Sequence, residues 1–328
     1  VLGGIGWRDD DLRLKQIAGE TPLSTLVDAG SGLASALDIS GTTRSDGVPD
    51  AGVADVGFHY DASPATAAPA FATAPNGTQA TYYVSSELAA ASNSNSRATA
   101  RSRSTPWKTI AYAMSQISSG DTVVVLPGTY AESVQVQKAN VTLVAETPGT
   151  VTIVPPSAAS ANGIAVERSG VTVDGFVVRS ATNNGISILG GSNGVRIRSC
   201  AVVGAAAEGI RAASSDDVLV QDSVVTGAAG SGILLRQVTN GTVRNNLIYD
   251  NAEWGIAIDN SLGAAVATGQ LVERNTSSFN GTGDLRLANA RGVVRDNLLT
   301  DTSGIGLRID TAGSTLLNNA FDQTTRDV

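Results

Sequence analysis

Cysteine, lysine, histidine and methionine are close to absent from this 328-residue chain. A single cysteine, Cys200, excludes a disulfide within the chain and any metal site of Cys type. Lysine occurs only at 15, 108 and 138, and the formal charge of −8 argues against nucleic acid as a partner. His59 is the sole histidine and aromatics make up 4%, so the core must be built from small aliphatic side chains. No apolar run approaches a transmembrane span and no signal peptide is visible. The chain opens on Val1 and its one methionine is Met114, which reads as a processed product or a piece of something longer, with an extracellular or cell-surface setting expected.

What the chain has in quantity is repetition. GIAVE begins at Gly163, GISIL at Gly185, GIRAA at Gly209, GILLR at Gly232 and GIAID at Gly255, followed by DLRLA at Asp284 and GIGLR at Gly304. Two further short apolar alternations follow each opening, separated by Gly, Asn, Asp and Ser, as at Val195 and Ile197, then Val202 and Val203. Such runs are too short for helices and have the period of strands. Three strands in about 23 residues make one coil of a parallel solenoid, and 36 glycines with 42% hydrophobic residues suit slim coils. Aligning the repeats places Gly175, Cys200, Ser223, Asn246, Asn275, Asn297 and Asn319 at one turn position, so the last four coils stack asparagine on asparagine in a structural ladder.

Residues 1–60 lack the repeat, with strands expected at Leu26 to Gly30 and Val53 to Tyr60. Residues 61–80 are an Ala, Pro and Thr rich linker of extended character, residues 81–120 hold a first strand, a polar loop and a helix, and residues 121–328 are coils. Thr105 with Pro106 predicts the helix start, and Trp107, Ile110, Ala111, Met114 and Ile117 share one face that would cover the first coil. The succession TYYVSS, TPWKTIAYAMSQI and GDTVVVLPGTYAESV resembles the start of right-handed parallel β-helix proteins related to pectate lyases, including family 9 polysaccharide lyases. LVDAGS and DVGFHY resemble the C-terminal closing segment of secreted bacterial β-helix proteins, here displaced to the N-terminus. The resemblance implies an all-β, right-handed, three-stranded parallel β-helix with a short N-terminal capping helix.

The order of these pieces suggests assembly. Joining Val328 to Val1 would complete one family member, so Val1, Leu2, Ile5, Trp7, Leu12 and Leu14 are candidates to add strands beside Leu316, Leu317, Phe321 and Val328 of another copy. Repeated, that contact gives a head-to-tail surface filament. A fold-back onto the chain's own end and a covalent tandem array stand as alternatives.

An enzyme is the other reading, by analogy with the fold. Uronate elimination needs a Lys or Arg base, usually beside calcium, and no lysine lies in 139–328, so the lysine base of family 9 lyases has no counterpart. The histidine cluster of alginate epimerases is missing too, and His59 reads as a structural residue of the closing segment. Hydrolysis could run on a carboxylate pair. Asp250, Glu253, Trp254 and Asp259 form the best candidate for contact with an extracellular polysaccharide, although coil stacking offers Arg236 as an ion-pair partner for Asp259. Asp216 and Asp217 read as turn residues. Arg198, Arg211, Arg236, Arg244, Arg286, Arg295 and Arg308 recur on the coils, some of them suited to an acidic glycan. No organic cofactor is called for. Asp46, Asp50 and Asp55 in SDGVPDAGVAD have the oxygen ligands and glycine turns of a Ca2+ loop. Asn76, Asn140, Asn240, Asn275 and Asn280 satisfy the glycan sequon.

Overall fold

The structure, a computed structural model, describes residues 29–31, 33–34, 43, 53–59, 79–157, 160–263, 265–300, 304–321 and 325–327. The coils form three parallel sheets of ten, nine and nine strands. Sheet I begins at Thr81–Val84 and Thr122–Val125 and ends at Thr315–Leu317. Sheet II runs from Gly128–Tyr130 to Ala320–Phe321, and sheet III from Val134–Val136 to Thr325–Asp327. Successive coils contribute one strand to each sheet, as the repeat predicts.

Alternation within each strand sends every second side chain inward. In sheet III, Ile164, Ile186, Ile210, Ile233, Ile256, Leu285 and Leu307 pair in register from coil to coil. All seven are buried in one continuous apolar column. The glycine that opens the first five of these coils is dictated by close approach. A Cβ on Gly209 would stand 2.3 Å from Val225 Cγ1 and 2.6 Å from the Gly232 carbonyl oxygen, so no larger residue fits without moving a coil.

The asparagine ladder turns sheet I into sheet II. Asn246, Asn275 and Asn297 are fully buried, and the Nδ2 of each donates to the Oδ1 of the next, at 3.0, 2.9 and 2.8 Å through to Asn319. The same Oδ1 atoms accept from the backbone N–H of the preceding coil. Gly175 stands one position earlier than the sequence alignment placed it. Its φ of +83° matches that of Ser199 at +48°, because both turn the corner in the left-handed region. Ser223 Oγ accepts from Cys200 N–H, which puts the cysteine on the ladder. A second ladder, at the corner between sheets II and III, escaped the sequence reading: Asn280 Oδ1 accepts from Asn251 N–H and Nδ2, and Asn251 Oδ1 accepts from Ala228 N–H. With side chains committed to these buried bonds, Asn275 and Asn280 are withdrawn as glycosylation acceptors.

Burial pushes the Cys200 thiol up to about 12. In the folded state it therefore holds its proton through a range where an unfolded cysteine loses it. Cys200 opposes stability increasingly as pH rises from about 9 towards 12 and is neutral below that window. At pH 8 a thiol-specific reagent is expected to label Cys200 only as fast as the coils open; labelling at the rate of a free thiol would contradict its burial.

Sheet II carries apolar residues on both faces, as in Leu247–Tyr249, which is buried throughout. The outer face is covered by residues 53–59 of the same chain. Phe58 packs with Val224, Leu247 and Tyr249, and Val56 packs with Leu298 beside Ala29 and Ala320. Phe58 N–H donates to Thr276 Oγ1 at 2.9 Å, His59 N–H to Asn245 Oδ1 at 2.7 Å and Gly57 N–H to the Asp296 carbonyl at 3.1 Å. In the single chain these residues of the closing segment therefore rest on their own coils. Its described part lies lengthwise on its own rod, and of the two expected strands only an isolated antiparallel bridge between Leu33 and Val53 is present among the described residues. Val1, Leu2, Ile5, Trp7, Leu12, Leu14 and Val328 lie outside the described residues.

Nearby, the outer edge of sheet I holds a buried ionic cluster. Arg274 Nη2 donates to Glu273 Oε1 at 3.0 Å, and Arg295 donates to Glu273 Oε2 at 2.6 and 2.8 Å. The Glu273 and Arg274 side chains are only 4% and 6% exposed.

At the opposite end the helix spans Ile110–Gln116, with Thr109 as its N-cap, so it starts later than Thr105 and Pro106 predict. The Glu132 carboxylate accepts from the Ile110 and Ala111 N–H groups and fixes that start. Ala111 is exposed and Ala113 takes its place on the buried face with Ile110 and Met114. Trp107 stacks on Tyr82 with centroids 4.9 Å apart, closing the first coil.

Candidate functional site

On sheet III the outward positions form two columns. One carries Arg211, Leu234, Ala257, Arg286 and Arg308, the other Ala213, Arg236, Asp259 and Ala288. Trp254 opens its strand opposite Gly283. Of these, Leu234, Arg236, Trp254, Ala257, Asp259 and Arg286 line an open groove of about 410 Å³, whose walls include Glu208, Ser231, Glu253 and Thr282. The coil spacing brings together residues from several repeats, which is how a solenoid builds a binding face.

Trp254 is 8% exposed and packs with Leu234 and Ala257. Its ring also lies against Gly283, where a Cβ would come within 2.7 Å. Trp254 therefore forms part of the apolar floor and offers only an edge to the groove. Ser231 Oγ donates to Glu253 Oε2 at 3.2 Å, holding that carboxylate at the wall. Asp259 is in register with Arg236, as coil stacking predicts. Its ion pair, however, is with Arg286 on the following coil, a loose one at 3.9 Å, since Arg286 makes its short bonds to Asp310 at 3.0 and 3.1 Å. Burial would raise the Asp259 carboxyl, but hydrogen bonds from Ser261 and the charges of Arg286 and Arg236 outweigh it and hold the group below the ordinary carboxylate range. Asp259 is thus a persistent anion, suited to orient a ligand or stabilise positive charge.

Of the four residues singled out for glycan contact, Glu253, Trp254 and Asp259 meet in this groove. Asp250 does not; it occupies the corner between sheets II and III, with φ +55°. Glu208, Leu234 and Arg286 complete the site, and they were not grouped in the sequence because they sit on different coils. Leu234 and Arg286 share an outward position of the repeat, while Glu208 stands two residues before its strand. Asp216 and Asp217 are consumed in a turn. Asp216 accepts from Thr239 Oγ1 and, at 3.0 Å, from Asn240 Nδ2, while Arg196 pairs with Asp217 at 2.8 Å.

Asp46 and Asp50 lie outside the described residues, and Asp55 is buried, accepting from Thr43 Oγ1 at 2.6 Å. Among the described residues no cluster of three or more His, Cys, Asp or Glu side chains could hold a metal, and no helix is long and apolar enough to cross a membrane.

Residues 162–324 match the family model described as the right handed beta helix region. Among solved structures the chain is similar to the pectate lyase Pel9A, at 12% identity over 76% of this chain and 79% of that one, with a TM-score of 0.53. It is also similar to the catalytic domain of a GH87 alpha-1,3-glucanase in complex with tetrasaccharides, at 12% identity over 85% of this chain and 52% of that one, with a TM-score of 0.55. At such identities the likeness is one of fold. No curated protein sequence matches the chain. Coil register, sheet order and the family match agree that residues 162–324 form a right-handed β-helix region and that the chain is a right-handed parallel β-helix protein.

Proposed function

We propose that the protein is polysaccharide-active and takes a glycan strand along the sheet III groove. The observation that carries this reading is the groove's make-up: an apolar floor of Leu234, Trp254 and Ala257 beneath Glu208, Glu253, Asp259, Arg236 and Arg286. Sugars present apolar ring faces and dense hydroxyls, and a floor of that kind under fixed charged hydrogen-bonding groups suits both. The two solved structures of similar fold named above, a lyase and a glucanase, lend support by analogy. Among chemistries, hydrolysis by paired carboxylates fits the side chains best, with Glu253 and Asp259 as the candidate pair.

Affinity electrophoresis and reducing-end release against a panel of neutral and acidic polysaccharides would test it. Glu253→Gln and Asp259→Asn are expected to lower binding or turnover of the responsive polymer by at least about tenfold, the size of one lost charged hydrogen bond. Their unfolding midpoints should stay near that of the parent. If no polysaccharide retards the parent protein or is cleaved by it, the reading fails.

Head-to-tail association into a filament is the second reading, and it draws on the last strand of sheet I. Leu316 continues the inward column of Val272 and Val294, yet it is 38% exposed, and Leu317 is 44% exposed. Light scattering across micromolar concentrations should then show end-to-end oligomers that Leu316→Ser disperses. A monomer throughout would remove this reading.

A further inference from the structure

Among the described residues sixteen non-glycine residues have positive φ, most of them Asn, Asp or Ser, whose short polar side chains tolerate that region. Two bulky exceptions are Arg274 and Phe279. The Glu273 ion pair gives Arg274 a reason to be there. Phe279 has no comparable reason. It is 49% exposed, belongs to no apolar cluster and makes no ring contact among the described residues. It turns the corner from sheet II to sheet III at φ +54°, and earlier coils fill that corner with Ser180, Gly204, Gly227 and Asp250, all at positive φ. A bulky aromatic in the left-handed region costs backbone energy that glycine at the same corner avoids. Exposure gains nothing in return for the fold.

Position supplies the reason. Tyr249 pairs with Ser278 and Trp254 with Gly283, so Phe279 stacks over Asp250 and the chain from either residue leads directly into the groove wall. Asn251, Ala252 and Glu253 separate Asp250 from Trp254, which limits the path to about 14 Å along the coil. Thr282, in the same turn as Phe279, already lines the groove.

Resting on the polysaccharide reading above, we infer that Phe279 is an outer subsite: its ring stacks on a sugar unit of the bound glycan where the strand leaves the groove over the corner between sheets II and III. The ligand class is accordingly a chain long enough to span both the groove floor and this corner. Asp250, beneath the ring, is placed to meet the hydroxyls of that same unit, which restores to it a role at the site's edge.

The test uses Phe279→Gly, Phe279→Tyr and Trp254→Ala in the full chain, with binding of long and short oligosaccharides of the responsive polymer measured by calorimetry. Phe279→Gly should leave thermal stability equal or higher, because it installs the residue of Gly204 and Gly227. It should also weaken long oligosaccharides by about three- to tenfold while leaving the shortest bound ones unchanged. Phe279→Tyr should restore long-chain affinity. Equal affinity of parent and Phe279→Gly for long chains, with Trp254→Ala impaired, would overturn the outer subsite and leave the groove reading intact. No binding by the parent, or none lost in Trp254→Ala, would overturn the groove reading and the subsite with it.

Discussion

Glu273→Ala is expected to destabilise the protein by about 3–5 kcal/mol, because it strands the Arg274 guanidinium in a site taken out of water. Burial already lowers the affinity of Arg274 for its proton, and the nearby Glu273 carboxylate is the leading influence that opposes this. Arg295 would lose its double hydrogen bond to the same carboxylate. Urea unfolding followed by tryptophan fluorescence measures the loss as a lower midpoint at similar slope. Arg295→Lys is the control. Arg295 is 28% exposed, so shortening its contact at a solvated edge should cost no more than about 1 kcal/mol. If Glu273→Ala costs as little as the control, the cluster is effectively solvated and its burial carries no energetic weight.

Asn275→Ala should cost about 3–5 kcal/mol, since one side chain satisfies several buried groups at once. Asn275 Nδ2 donates to the carbonyls of Val243 and Glu273 at 3.0 and 3.1 Å, and Oδ1 accepts from Asn246 N–H and Nδ2 at 3.0 Å. Alanine leaves these four partners and the Asn297 Oδ1, to which Nδ2 also donates, short of a bond in a region closed to water, and each such group costs on the order of 1–3 kcal/mol before relaxation. Asn319→Ala removes the last rung, where the bonds are only partly buried, and about 1 kcal/mol is expected there. The two variants are compared by calorimetric melting. Equal losses would mean that the ladder is a set of independent turns with no premium on its buried middle.

The ladder and the coils were legible because each is written as a residue type recurring at a nearly fixed interval, and register follows from counting. The cover over sheet II was not, although Leu247, Ile248 and Tyr249 carried its trace: three consecutive apolar residues in a strand need burial on both faces. What covers Leu247 and Tyr249 is Phe58, from nearly 200 residues away, and no local pattern states that pairing. The site was legible in part. Glu253 and Trp254 are neighbours in the chain, and Asp259 belongs to the same strand, so they stood out as a group. Arg286 and Glu208 join them only through stacking. Asp250 fell outside the groove lining for a geometric reason: it stands at the left-handed corner between sheets II and III, so closeness to Trp254 in sequence does not carry it into the groove itself. Phe279 was invisible as a candidate because its interest lies in its φ and exposure, neither of which composition records.

The strap formed by residues 53–59 bears on how the molecule folds. A bare solenoid can grow coil by coil and fray from its last turns, since each coil touches only its neighbours. Here the strap joins Asn245, Thr276 and Asp296 across three successive coils through contacts separated by about 186 to 239 residues in the chain. Closing so long a loop is slow relative to coil-to-coil propagation, so strap docking belongs to a late kinetic phase that waits for the coils beneath it. Once docked it ties those coils to one another. The end of the rod then opens as a block or stays shut, and unravelling one turn at a time is suppressed.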